Sequence, residues 1–65
     1  MSVPTRSQIK IGAKVNIIQK QDQGSGELTQ GKVERLLTKS PNHPHGIKVR
    51  LDSGEVGRVQ SFDES

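Results

Sequence analysis

Ile47-Lys48-Val49-Arg50-Leu51-Asp52-Ser53-Gly54-Glu55-Val56-Gly57-Arg58-Val59-Gln60 is the stretch that decides the fold. Its first five residues alternate strictly, with Ile47, Val49 and Leu51 on one face and Lys48 and Arg50 on the other. A period of two belongs to a strand that buries one face and wets the other. Asp52-Ser53-Gly54 then reads as a short hairpin turn with its glycine in the left-handed position. Glu55 to Gln60, carrying Val56 and Val59, reads as the returning strand.

Further toward the N-terminus the same texture continues. Ala13 to Lys20 holds Val15, Ile17 and Ile18, and Gly31 to Thr38 holds Val33, Leu36 and Leu37. Val33, Leu36 and Leu37 also sit at helical spacing, but Pro41 and the preceding Thr38 favour a strand running into a loop. Glycines at 12, 24, 26, 31, 46, 54 and 57 leave no long window with helical periodicity. Four or five short strands are expected, and such strands bury their apolar faces by curling into a small, partly open barrel. Ile17 and Ile18 are adjacent, Leu36 and Leu37 likewise, and Val56 and Val59 differ in parity. Sharp bends, or bulges at glycine, are expected to turn both members of each pair inward.

The composition sets limits. In 65 residues only 28% are apolar, with one Phe and no Trp, Tyr or Cys. A folded chain this short hides about 60% of the surface its unfolded form exposes, so stability is expected to be modest. No apolar run approaches the ~20 residues of a bilayer span, and there is no apolar stretch of signal-peptide type. Without cysteine there is neither a disulfide framework nor a thiolate zinc site. These features predict a cytoplasmic protein with no membrane partner. Residues 1–8 read as a flexible arm, 9–60 as the barrel domain and 61–65 as an acidic tail. Ten Lys and Arg face seven Asp and Glu. Setting aside Asp63 and Glu64 leaves ten bases against five acids, so the body is more basic than the net +3 suggests.

Asn42-His43-Pro44-His45-Gly46 invites a metal or acid–base reading, since imidazole binds zinc and titrates near neutrality. A stable site needs three or four ligands, however, and the chain has no third histidine. The plainer reading is a rigid connector. Pro41 and Pro44 fix the backbone, Gly46 turns it into the next strand, and His43 is partly packed while His45 is exposed. On this reading neither a metal, a cofactor nor a catalytic residue is expected. Gly24-Ser25-Gly26 contains the G-x-G of phosphate cradles but lacks the strand–loop–helix context, and a flexible hairpin tip suffices. The seven serines lie outside any nucleophile motif.

The bases are more informative. Lys48 and Arg50 share one outward face, and Arg58 joins them across the hairpin. Lys32, Arg35 and Lys39 line the preceding strand and the loop toward His43 and His45. Such a patch suits RNA or DNA phosphates, and protonated histidines would add to it below about pH 6.5. With Phe62 the single aromatic outside histidine, the patch should read backbone and shape rather than stacked bases.

Two resemblances carry this further. Gly12, Lys14-Val15, Ile17, Lys20, Asp22, Gly24, Gly26, Gly31-Lys32-Val33 and Leu36 resemble, in order, a KOW-type motif, although Glu27 to Gln30 makes the stretch longer than the usual pattern. Those modules are SH3-like barrels that touch RNA or protein. Lys20-Gln21-Asp22-Gln23, Leu28-Thr29, Ser40-Pro41-x-His43-Pro44-x-Gly46-Ile47-Lys48-Val49-Arg50-Leu51 and Gly54-x-Val56-Gly57-Arg58-Val59-Gln60 resemble the YwbE-like family of small proteins over almost the whole body. That family implies a compact domain of unknown function with no catalytic residues to carry over. The first expectation is a non-enzymatic module binding RNA or a ribonucleoprotein through Lys32, Arg35, Lys39, Lys48, Arg50 and Arg58. The alternative is a protein–protein adaptor using the His-Pro loop or an edge strand. A metal-dependent hydrolase built on His43 and His45 is the third.

Overall fold

The computed structural model describes residues 3–63. Four antiparallel strands, β1 (Lys14–Gln19), β2 (Thr29–Leu36), β3 (Lys48–Leu51) and β4 (Val56–Phe62), follow one another around a closed barrel. The architecture is all-β and consistent with a small SH3-like barrel. It closes fully rather than in part, because β4 returns to β1 along Val15 to Gln19. Closure gives every strand two hydrogen-bonded neighbours, with β2 meeting β1 along residues 29–32 and β3 along residues 33–36.

The alternating faces meet inside. Ile9, Val15, Ile17, Val33, Ile47, Val49, Leu51 and Val59 are all at most 2% exposed, and Ala13, Leu36 and Phe62 pack against them. The hairpin turn is as the sequence reads it: Gly54 has φ +103, and the Leu51 amide donates to the Glu55 carbonyl at 2.8 Å.

The adjacent apolar pairs behave differently from the expectation. No bulge brings Ile18 inward beside Ile17; Ile18 stays half-buried on the outer face, opposite Arg58 of β4. Val56 likewise faces outward opposite Arg50, and Leu37 is exposed. The irregularities fall elsewhere, between Asn16 and Ile17 on the β1–β4 side and between Val33 and Arg35 on the β2–β3 side. Gly57 marks no bulge. It stands in the inward register opposite Val49, where a Cβ would lie 2.5 Å from the Ile18 carbonyl oxygen. The missing side chain lets β1 and β4 approach closely.

The described segments on either side of the barrel core are tied in. Arg6–Gln8 forms a 3-10 turn, and the Gln8 side chain accepts the Thr5 amide at 2.9 Å. The Arg6 backbone N–H donates to the Pro41 carbonyl at 2.9 Å, and its Nε donates to the Thr38 carbonyl at 3.0 Å. The segment read as an arm therefore braces the His-Pro loop. Ser61 and Phe62, read as tail, belong to β4, and the Asp63 amide donates to the Lys14 carbonyl. Met1, Ser2, Glu64 and Ser65, assigned to the arm and the tail, lie outside the described residues.

Candidate nucleic-acid interface

The outer surface of β4 and its neighbours carries the candidate site. Lys48 of β3 and Arg58 of β4 are register partners, so the two cations stand side by side across the ladder. Arg58 in turn faces Ile18 of β1. One cross-strand row thus runs Ile18, Arg58, Lys48. The next row along runs Val56, Arg50, Arg35, because Arg50 opposes both Val56 and Arg35.

Two adjoining grooves flank Arg58. One, of about 480 Å³, is lined by Lys20, Lys48, Val56 and Arg58 with Ile18 and Gln23. The other, of about 500 Å³, is lined by Pro44, His45 and Gln60 together with the same Ile18, Gln23 and Arg58. The first gathers three cations and no acid.

The His-Pro loop is fastened to β4 at three successive carbonyls. Gln60 Nε2 donates to His45 O at 2.9 Å, Arg58 Nη1 to Gly46 O at 3.0 Å, and the Val59 amide to Ile47 O at 2.9 Å. Gly46, at φ +101, fits because it lacks a Cβ, which would run into the Val59 carbonyl oxygen. At the loop's base Thr38 Oγ1 accepts the Lys48 amide at 2.8 Å. These bonds hold the Arg58 side chain in place, so less side-chain freedom remains to be lost on meeting an anion.

His43 is half-buried and His45 exposed, with ring centroids 5.7 Å apart. His43 Nδ1 accepts the His45 amide at 3.1 Å, which places the neutral ring's proton on Nε2. Desolvation, then the charges of Arg58 and His45, hold the His43 imidazole below its ordinary value. His43 therefore gains its charge only at a lower pH than the sequence expectation of about 6.5. Among the described residues no three His, Asp or Glu side chains gather as a group able to hold a metal ion.

The bases do not form one patch. Arg58, Lys48 and Arg50 come together, with Arg35 one strand further and Lys39 exposed in the β2–β3 connection. Arg50 is partly answered by Glu34, whose Oε2 lies 3.6 Å from its Nε. Lys32 is elsewhere: it pairs with Lys14 and lines a depression shared with Asp52 and Asp63. Lys20, Ile18, Gln23 and Gln60 belong to the site and escaped sequence reasoning. Strand parity carries the signal for Ile18, which continues the outward phase of Asn16, whereas Lys20 opens the 3-10 turn that follows β1. Within the G-x-G the Gly26 N–H is engaged by Asp22 O at 2.8 Å, and the following Glu27 N–H by Ser25 Oγ at 3.4 Å. No helix of the described residues is long and apolar enough to cross a membrane.

Comparison with known proteins adds kinship. The chain is 52% identical over 62 residues to the protein described as "Uncharacterized protein YwbE" of Bacillus subtilis (strain 168), covering 95% of each chain. No solved structure matches it. Residues 2–62 match the family described as "Uncharacterized conserved protein (DUF2196)", and the chain belongs to that family, the YwbE-like proteins of its sequence resemblance.

Proposed function

We propose that this chain is a non-enzymatic cytoplasmic module that holds the phosphate backbone of RNA against the outer surface of β3 and β4. The observation that carries the reading is the Lys48–Arg58 pair, two cations in direct cross-strand register. Lys20 completes the groove on one side, and Arg50 and Arg35 extend it along the next row. Like charges placed directly opposite destabilise a sheet. An anion lying between them removes that cost, and Arg58, anchored through Gly46 O, is already oriented to receive it. The KOW-type likeness, to modules that touch RNA or protein, bears on the fold more than on the choice of partner. Phe62 packs against the core, which favours contact with backbone over stacking on that ring. Addition of a partner strand, one form of the adaptor alternative, would have to use stretches paired on one side alone, such as residues 29–31 of β2 with β1 or residues 35–36 with β3.

Fluorescence anisotropy with a labelled RNA across a salt series tests the reading. Affinity should fall steeply with salt, and Lys48→Gln should flatten the log–log slope by about 0.7 if the target is single-stranded. Binding that ignores salt, or ignores Lys48→Gln, would refute it.

A further inference from the structure

The two grooves differ in chemistry across a shared wall. The cationic one suits a phosphate. Its neighbour is lined by Pro44, His45, Ile18 and Gln60 beside Gln23 and Arg58, a mixture of apolar and polar residues. Each is within the ~300–1,000 Å³ range of small-ligand sites. Arg58 belongs to both, its Nη1 held by Gly46 O. Gln60 is oriented as well, since its Nε2 donates to His45 O at 2.9 Å and Arg58 O at 3.3 Å. That leaves Oε1 as the amide's acceptor toward a ligand.

Resting on the RNA-backbone reading, we infer that the second groove seats one unpaired base of the strand whose phosphate lies on Lys20, Lys48 and Arg58. The target is then single-stranded RNA rather than duplex. A paired base has its hydrogen-bonding edge occupied and its faces stacked, so it cannot enter a groove beside its own phosphate. An unpaired base offers a π-face to the exposed His45 ring and the Arg58 guanidinium, and a donor edge to Gln60 Oε1. The sequence expectation of no stacking counted Phe, Tyr and Trp; here histidine and arginine supply the planar surfaces.

The experiment compares three probes on the intact chain at low salt: a single-stranded RNA of about ten nucleotides, the same RNA annealed to its complement, and inorganic polyphosphate. His45→Ala is the test variant, because its anchoring bonds are made by backbone atoms that the substitution keeps. We expect single strands to bind most tightly. His45→Ala should cost them about fivefold or more while leaving polyphosphate affinity unchanged. The Pro44 ring signals in NMR should shift with the single strand and stay still with polyphosphate, because Pro44 lines the second groove and not the cationic one. Equal affinity for all three probes with a silent His45→Ala would overturn the base seat and leave the phosphate reading standing. If none of the probes binds, or if binding ignores Lys48→Gln, the underlying reading falls and this inference with it.

Discussion

Lys48 and Arg58 stand opposite each other across β3 and β4, both on the outer face of a closed barrel. Such a pair costs the isolated protein something, ~0.2–1 kcal/mol by the scale of cross-strand interactions. Arg58 draws part of its charge aside by donating to Gly46 O; Lys48 has no such anchor described. Lys48→Gln is therefore expected to leave stability unchanged or raise it by up to ~1 kcal/mol, while weakening RNA binding. Urea midpoints and anisotropy titrations on the same preparation check both halves. Loss of stability together with unchanged affinity would contradict the functional reading of the pair.

Glu34 is an acid in contact with Arg50 of the adjoining row. Its contact with Arg50 joins two side chains that are 54% and 53% exposed, at 3.6 Å, so it contributes no more than ~1 kcal/mol to stability. Glu34→Gln should hence be nearly silent in thermal unfolding. It should also tighten RNA binding, because it removes a negative charge beside Arg50 and releases the guanidinium for phosphate. Affinity that falls on this substitution would place the RNA elsewhere.

Lys32 supplies the matching control. It lies in register with Lys14 near Asp52 and Asp63, away from the Arg58 row. We expect Lys32→Gln to change RNA affinity much less than Lys48→Gln at the same salt. Equal losses would mean that the RNA wraps around the barrel.

The fold was legible where burial is one-sided. Ile47, Val49 and Leu51 alternate because β3 has one buried and one solvated face, and Gly54 marks its turn by the φ that the hairpin demands. Ile18 and Val56 were misread because their type points inward whereas their parity points outward; parity prevailed, and the half-buried apolar pair became groove lining. Barrel closure was not legible, since it depends on β4 reaching back to β1, a long-range pairing that local pattern does not encode. Lys48, Arg50 and Arg58 could be grouped from the hairpin alone. Lys32 could not be separated from them without the register of β1 and β2. The roles of Gln60 and Gly46 arise from contacts between residues 12 to 15 positions apart, which no motif announces.

The glycines divide sharply by what surrounds them. Gly24 has open space around it and no positive φ, so Gly24→Ala should be neutral or stabilising by ~0.4–1 kcal/mol through the unfolded chain. Gly57→Ala would press a methyl to 2.5 Å from the Ile18 carbonyl oxygen, a backbone atom that yields only if β1 and β4 separate. A loss of ~1–3 kcal/mol is expected. Gly46→Ala combines a backbone collision with Val59 and a φ of +101 and should be the most damaging of the three. Chemical denaturation of the three variants gives the order directly, and a tolerated Gly46→Ala would show that the His-Pro loop is not clamped to β4.

His43 sets the pH response of that clamp. Its imidazole is held below its ordinary value by desolvation and by the Arg58 and His45 charges, and its Nδ1 already accepts the His45 amide. In the folded chain a proton on Nδ1 would break that bond and place a cation beside Arg58. The unfolded chain has neither penalty and takes up its proton at about pH 6.5. Between that pH and the lower folded value the unfolded state binds more protons, so stability rises with pH. The contribution is fully present above the unfolded value and is lost as pH falls through the folded one. Glu55 is also lowered, by the Ser53 hydroxyl and its own amide, so its contribution is lost only below the ordinary carboxylate value. Urea midpoints measured from about pH 8 down to pH 5 therefore report on His43 rather than on Glu55. The midpoint should drop toward pH 5 in the native chain. His43→Asn, whose side-chain oxygen can still accept the His45 amide, should flatten the drop without lowering the midpoint at pH 8. A profile unchanged by that substitution would assign the pH response to another group, and a variant already unstable at pH 8 would show that the imidazole's packing, rather than its protonation, holds the loop.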